Sequence, residues 1–169
     1  MSLSSLTRHD PEEQRQRQEV QLACFRLGSE TYAVDIMRIK EIIRPQKLTV
    51  VPRAPSFVEG MINLRGMVLP VVDLGKRFGL PALAVDRRSR IIICAVFDRF
   101  VGILVEEMTE VRRYTRQEVQ PPPEFVQGRE SEFFLAVCRR EDDLVMVIDL
   151  EKLFSTDEIL HLSRLQPGP

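Results

Sequence analysis

From Val20 onward the chain is a succession of short apolar runs, each cut off by glycine, proline or charged residues. Such punctuation argues for many strands, because turn signals recur before any helical period can develop. The first hairpin is expected over 20–27 and 31–36, with a turn at Gly28 and period-two alternation of Tyr32, Val34 and Ile36. A third stretch follows at 39–43. The second hairpin joins 57–64 to 67–74 across Arg65-Gly66, where glycine supplies the positive φ of a tight turn. Pro70 cannot donate to a ladder, so its strand is expected at an edge or at a bulge. Residues 90–97 and 100–105 form a third hairpin over Asp98-Arg99, and their runs, apolar on both faces, suit strands enclosed between two layers. A strand at 109–114 precedes Pro121-Pro122-Pro123, which interrupts regular structure. The last strand pair is 132–138 with 144–150, and Ser155 with Glu158 forms a capping box for a closing helix.

An internal echo refines this all-β reading. Residues 68–79 (VLPVVDLGKRFG) align with residues 144–155 (LVMVIDLEKLFS), 76 positions later. In both, an apolar strand ends in an aspartate, Asp73 or Asp149, placed to cap a short helix carrying Phe78 or Phe154. A weaker echo, between residues 32–42 and residues 101–111 at an offset of 69 positions, matches Val34 with Ile103, Ile36 with Val105 and Glu41 with Glu110. Two similar units are expected, packed as lobes. The organisation is a polar tail over 1–19, one two-lobed unit with interleaved strands over 20–165, and a disordered end over 166–169.

Composition removes several classes of function. Hydrophobic residues make up 44% and charged residues 29%, as in a soluble globular protein. No run approaches the roughly 20 apolar residues that cross a bilayer, and residues 1–19 lack a secretory pattern, so the chain is expected in the cytoplasm without membrane insertion. With 24 basic and 25 acidic residues the net charge is −1, which creates no long-range field toward nucleic acid or anionic lipid. The basic clusters Arg87, Arg88, Arg90 and Arg112, Arg113, Arg116 are flanked by acids and read as charged edges. There is no tryptophan and there are two tyrosines, which is poor provision for base stacking. Cys24, Cys94 and Cys138 are far apart within apolar runs and read as reduced core thiols. His9 and His161 stand near the termini, away from any nucleophile or metal-like spacing. No catalytic, cofactor or metal constellation emerges, and neither enzyme nor small-molecule binder is expected.

Several stretches together resemble the CheW family over about residues 20–160. They are residues 25–36 (FRLGSETYAVDI) with 39–42 (IKEI), residues 51–60 (VPRAPSFVEG), residues 62–74 (INLRGMVLPVVDL), residues 101–105 (VGILV) and residues 147–153 (VIDLEKL). The Asn63-Leu64-Arg65-Gly66 hairpin is the most specific of these. The resemblance implies two small five-stranded SH3-like barrels packed around a common core. It also implies a non-enzymatic adaptor that bridges the cytoplasmic tips of chemoreceptors, the methyl-accepting chemotaxis proteins, to the histidine kinase CheA. The kinase would be met through its own CheW-like domain, at membrane receptor arrays reached through partners. An adaptor of a surface-sensing or motility array fits the same residues, and a small-barrel nucleic-acid binder is the more distant alternative. One departure stands out: Leu135-Ala136-Val137-Cys138 occupies the place where relatives commonly carry a glycine-containing strand.

The resemblance places kinase contact on Ile39, Glu41, Gly60, Asn63, Leu64, Arg65 and Gly66. Arg65 would offer a planar fork of donors beside apolar strands, as arginines at binding hot spots do, with Glu41 as a charge partner. A polar turn residue is the plain alternative for Arg65, and Asn63, Leu64, Gly60 and Gly66 serve backbone geometry equally well. Receptor contact is expected in a groove between lobes, where a helix lays apolar side chains against Ile36, Ile39 and Val101. Each of these three is equally suited to a core.

Overall fold

The structure, a computed structural model, describes residues 19–81, 84–122 and 132–154. The described residues form eleven strands: β1 (Val20–Leu27), β2 (Glu30–Asp35), β3 (Ile39–Ile43), β4 (Val58–Leu64), β5 (Met67–Asp73), β6 (Arg90–Val96), β7 (Arg99–Val105), β8 (Glu107–Tyr114), β9 (Val119–Gln120), β10 (Phe134–Arg140) and β11 (Asp143–Ile148). One-turn helices follow β5 (Leu74–Arg77) and β11 (Leu150–Leu153), and 3-10 turns occupy Ile36–Arg38 and Arg116–Glu118. No helix among the described residues is long and apolar enough to cross a membrane. The expected polar tail, the closing helix at Ser155 and both histidines lie outside the described residues.

The all-β expectation holds, in two sheets. The first lobe has the order β8-β1-β2-β11-β10-β9 and the second β3-β6-β7-β5-β4. Five strands per lobe describes the second, while the first gains a sixth from the two-residue β9. The third strand of each half crosses over: β3 leaves β2 to pair with β6, and β8 leaves β7 to pair with β1. Local patterning carries no trace of this exchange, because strand partners are set by long-range packing.

Registers repeat between the lobes with both sequence offsets. Ala23 faces Val34 in β1–β2, and Ile92 faces Ile103 in β6–β7, each 69 positions on. Val58 faces Val72 and Gly60 faces Val71 in β4–β5, as Phe134 faces Ile148 and Ala136 faces Val147 in β10–β11, 76 positions on. The two offsets meet in the parallel ladders, where Val147 faces Ala33 and Val71 faces Gly102. The capping aspartates behave as the echo implied. Asp73 Oδ1 accepts from the Lys76 N–H at 3.1 Å, and Asp149 Oδ1 from the Lys152 N–H at 3.2 Å. Their own N–H groups donate to Phe57 O at 2.8 Å and to Phe133 O at 2.7 Å.

Each sheet also closes on itself. Thr49, beyond edge strand β3, exchanges hydrogen bonds of 2.9 and 2.8 Å with Met61 of the opposite edge strand β4. In the first lobe β9 plays this part, reaching Val137 and Cys138 of β10 directly after the 3-10 turn that follows β8. Closure lets one face of each sheet bury its side chains against one another. Leu22, Cys24, Ala33, Tyr114, Ala136, Cys138, Val145 and Val147 fill the first interior. Ile62, Leu64, Leu69, Val71, Ile91, Ile93 and Leu104 fill the second. The alternate residues, among them Phe25, Val34, Ile92, Val101 and Ile103, meet in a common core between the lobes. Its aromatic contacts repeat as well: Phe78 packs on Phe133 with centroids 5.9 Å apart, and Phe154 on Phe57 at 6.5 Å.

Pro70 departs from expectation. Strand β5 lies between β4 and β7 rather than at an edge, and the irregularity of that hairpin falls between Val58 and Gly60. The proline is accommodated because the ladder to β7 begins one residue later, at Val71. The three cysteines are fully buried, and burial pushes the Cys94 thiol up to about 12 and those of Cys24 and Cys138 up to about 11. They are core thiols and poor nucleophiles at neutral pH.

Candidate functional site: an exposed hairpin tip and an interlobe groove

The β4–β5 turn places Arg65 and Gly66 at φ 51° and 86°, so the connection takes positive φ at both central residues. Asn63 secures it, since its Oδ1 accepts the Gly66 N–H at 2.8 Å. With the backbone held, the Arg65 side chain turns back over the closed sheet toward β3. Its Nη1 and Nη2 donate to Glu41 Oε1 and Oε2 at 3.2 and 2.5 Å, a fork-on-carboxylate pair spanning the two edges of the second lobe. These hydrogen bonds hold the Glu41 carboxyl below the usual carboxylate range and raise Arg65. The Arg65 side chain remains 69% exposed, so the paired guanidinium faces solvent.

The remaining hairpin candidates divide by burial. Leu64 is buried in the second lobe's interior. Gly60 is structural: a Cβ there would sit 2.6 Å from the Thr49 carbonyl oxygen that helps close the barrel. Glu41, Asn63, Arg65 and Gly66 form the accessible end of the lobe.

A groove of about 440 Å³ runs between the exchanged strands β3 and β8, with Ala23 at its floor. Ile36 and Ile39 line it, and Ile36 starts the 3-10 turn rather than ending a strand; Asp35 Oδ1 accepts the Met37 N–H at 2.9 Å to turn the chain there. Val101 does not line it. Only 2% exposed, it belongs to the common core, because β7 is interior to its sheet and buries both faces. The groove's other wall, Met108 and Val111, was not singled out from sequence. The signal was available: Met108, Glu110 and Val111 stand 69 positions after Ile39, Glu41 and Ile42. Ile42 and Val111 are 43% and 57% exposed, so this surface presents apolar side chains to solvent.

The two acids at the rim are both paired. Glu41 holds Arg65, while Glu110 meets Arg112, whose guanidinium also reaches Asp143 at 2.5 Å and the Tyr114 hydroxyl at 3.1 Å. A mostly apolar trough with paired acids at its rim can receive an apolar helix face.

A family model described as CheW-like domain matches residues 21–158. The chain belongs to the CheW family. Among CheW relatives, the chemotaxis protein CheW of Treponema pallidum is 34% identical over 152 residues, covering 88% of this chain and 89% of that one. Protein FrzA of Myxococcus xanthus is 31% identical over 107 residues, 63% of this chain and 67% of that protein. The crystal structure of the scaffolding protein TtCheW from Thermoanaerobacter tengcongensis superposes with a TM-score of 0.77 at 32% identity, covering 83% of this chain and 96% of that one. The CheW fold inferred from the sequence motifs is thus the fold of the chain.

Proposed function

We propose that the chain is a cytoplasmic, non-enzymatic coupling protein that joins chemoreceptor cytoplasmic tips to the histidine kinase CheA. The observation that supports this reading is the adjacency of the outward-facing Arg65–Glu41 pair and the apolar groove between β3 and β8, which meet at Glu41. Kinase contact falls on Asn63, Arg65, Gly66 and Glu41, with Gly60 and Leu64 shaping the hairpin from within and Ile39 at the border with the groove. Receptor contact falls on the groove, where Ile36 and Ile39 face Met108 and Val111 across a space suited to one apolar helix face. The names of the relatives, chemotaxis proteins and a scaffolding protein, support the reading.

Co-sedimentation with a purified CheA kinase and a receptor cytoplasmic fragment tests it. The expected result is a ternary complex in which Ile39→Asp releases the receptor fragment and Arg65→Ala weakens retention of the kinase. Failure of the wild-type chain to join either partner would refute the proposal.

A further inference from the structure

The arginines at the far end of β3 form a group of charges that pairing within the fold leaves unspent. Several basic side chains elsewhere in the fold are matched by acids: Arg26 with Glu106 and Glu107, Arg38 with Glu151, Lys76 with Glu59, Arg112 with Glu110 and Asp143, and Arg140 with Glu118. Arg44, Arg87 and Arg90 take part in no ion pair among the described residues, yet they converge on one recess of about 510 Å³ with Pro45 and Val85 as apolar wall. Arg44 follows β3 directly and Arg90 opens β6; the register Ile43 to Ile91 brings these two strand ends together.

The loop carrying the arginines is fastened from below. Ser89 is fully buried, and its Oγ accepts the Asp86 N–H at 2.9 Å. Asp86, the one acid lining the recess, has an oxygen engaged by the Arg88 N–H at 2.7 Å. Arg90 is oriented by its own neighbours, Nη1 donating to the carbonyls of Arg87 and Ser89 at 2.7 Å each. Its remaining N–H donors stand beside the guanidinium groups of Arg87, on this fastened turn, and of Arg44, at the end of β3.

We infer that this recess is a docking site for a short acidic polypeptide segment of a partner protein. Guanidinium forks bind carboxylates in pairs, and a concave site focuses their field. Pro45 and the 57% exposed Val85 give the stems of such a segment an apolar surface. A nucleic acid is disfavoured because no aromatic ring lines the recess and the chain's net charge is −1. The site is separate from the Arg65 hairpin and from the groove, so it stands or falls independently of the coupling role.

Fluorescence anisotropy with a labelled octaglutamate peptide tests the inference at low salt and again at about 300 mM salt, where screening shortens to a few ångströms. The expected result is binding by the full chain that weakens about ten-fold in Arg44→Ala/Arg87→Ala/Arg90→Ala and is lost at high salt. The loop variant Arg44→Ala/Arg87→Ala, which spares β6, is expected to weaken it by a smaller factor, and Arg99→Ala at the opposite end of β6–β7 to leave it unchanged. Undetectable binding at low salt, equal binding by the triple variant and Arg99→Ala, or a tighter complex with labelled oligothymidylate that the triple variant loses, would each overturn the proposal.

Discussion

The two lobes share topology, register and the arrangement of their caps, yet they fill their interiors with different side chains. Where the first lobe has Cys24, Ala33, Ala136 and Cys138, the second has Ile93, Gly102, Gly60 and Ile62 at the positions related by the same offsets. Larger aliphatic side chains in the second are accompanied by glycine on neighbouring strands; a Cβ on Gly102 would lie 2.8 Å from Ile91. Smaller ones in the first leave space for Tyr114, buried with its hydroxyl on Arg112. The hairpin tips differ in the same spirit. Arg140 is tied to Glu118 and to the Arg113 carbonyl, and Arg112 to Asp143, so the first lobe's charges are consumed in holding its barrel closed. The second lobe offers a single forked pair with its arginine facing outward. A duplicated framework can therefore leave a paired arginine facing solvent on one copy while the other copy spends similar residues on closure.

The largest expected break in this comparison lies in the cores. Ile93→Ala is expected to cost about 2–5 kcal/mol, a full aliphatic side chain with little room to collapse, whereas Cys24→Ala at the matching position should cost about 1 kcal/mol. Urea unfolding with unchanged m values checks both. Next come the small residues: Gly60→Ala should destabilise by about 1–3 kcal/mol, because the added methyl meets a backbone carbonyl. Ala136→Gly, the reverse exchange in the other lobe, should cost about 0.5–1 kcal/mol through backbone entropy. Equal costs at the two sites would show that the Thr49 contact is less restrictive than its geometry indicates.

The smallest effect is on pH dependence. Arg140, helped by the Thr115 N–H, holds Glu118 at about 2 against an ordinary 4.5. A carboxyl whose folded pKa is depressed stabilises fully above its unfolded value and loses that contribution as pH falls through the folded one. The Glu118 contribution should fade between about pH 4.5 and 2, and Arg140→Ala should flatten this part of the profile. Glu41 is lowered by Arg65 in the same sense, so Arg65→Ala should reduce the acid slope from the second lobe. Urea midpoints measured across this pH range distinguish the two.

Much of this framework was legible in sequence because its signals are local. Asp73 and Asp149 announced their helices, Arg65-Gly66 its turn, and the two offsets the paired lobes. Interleaved strands were expected, but that β3 and β8 are the ones exchanged was not legible, since a strand's partner is a long-range choice. Strand β9 was too short to leave a pattern. Val101 was misplaced because a strand buried on both faces shows no alternation to separate core from groove. Half of the groove was overlooked for a different reason: the weaker echo was read as evidence of architecture, and its members Met108 and Val111 were not carried across to the site.

The most direct test of the central claim compares Arg65→Ala with Arg140→Ala in kinase assays reconstituted with CheA and a receptor fragment. Arg65→Ala should retain the wild-type melting behaviour and lose most kinase activation, while Arg140→Ala should activate as the wild type does. Full activation by Arg65→Ala, or equal loss in both variants, would contradict the assignment of binding chemistry to the second lobe.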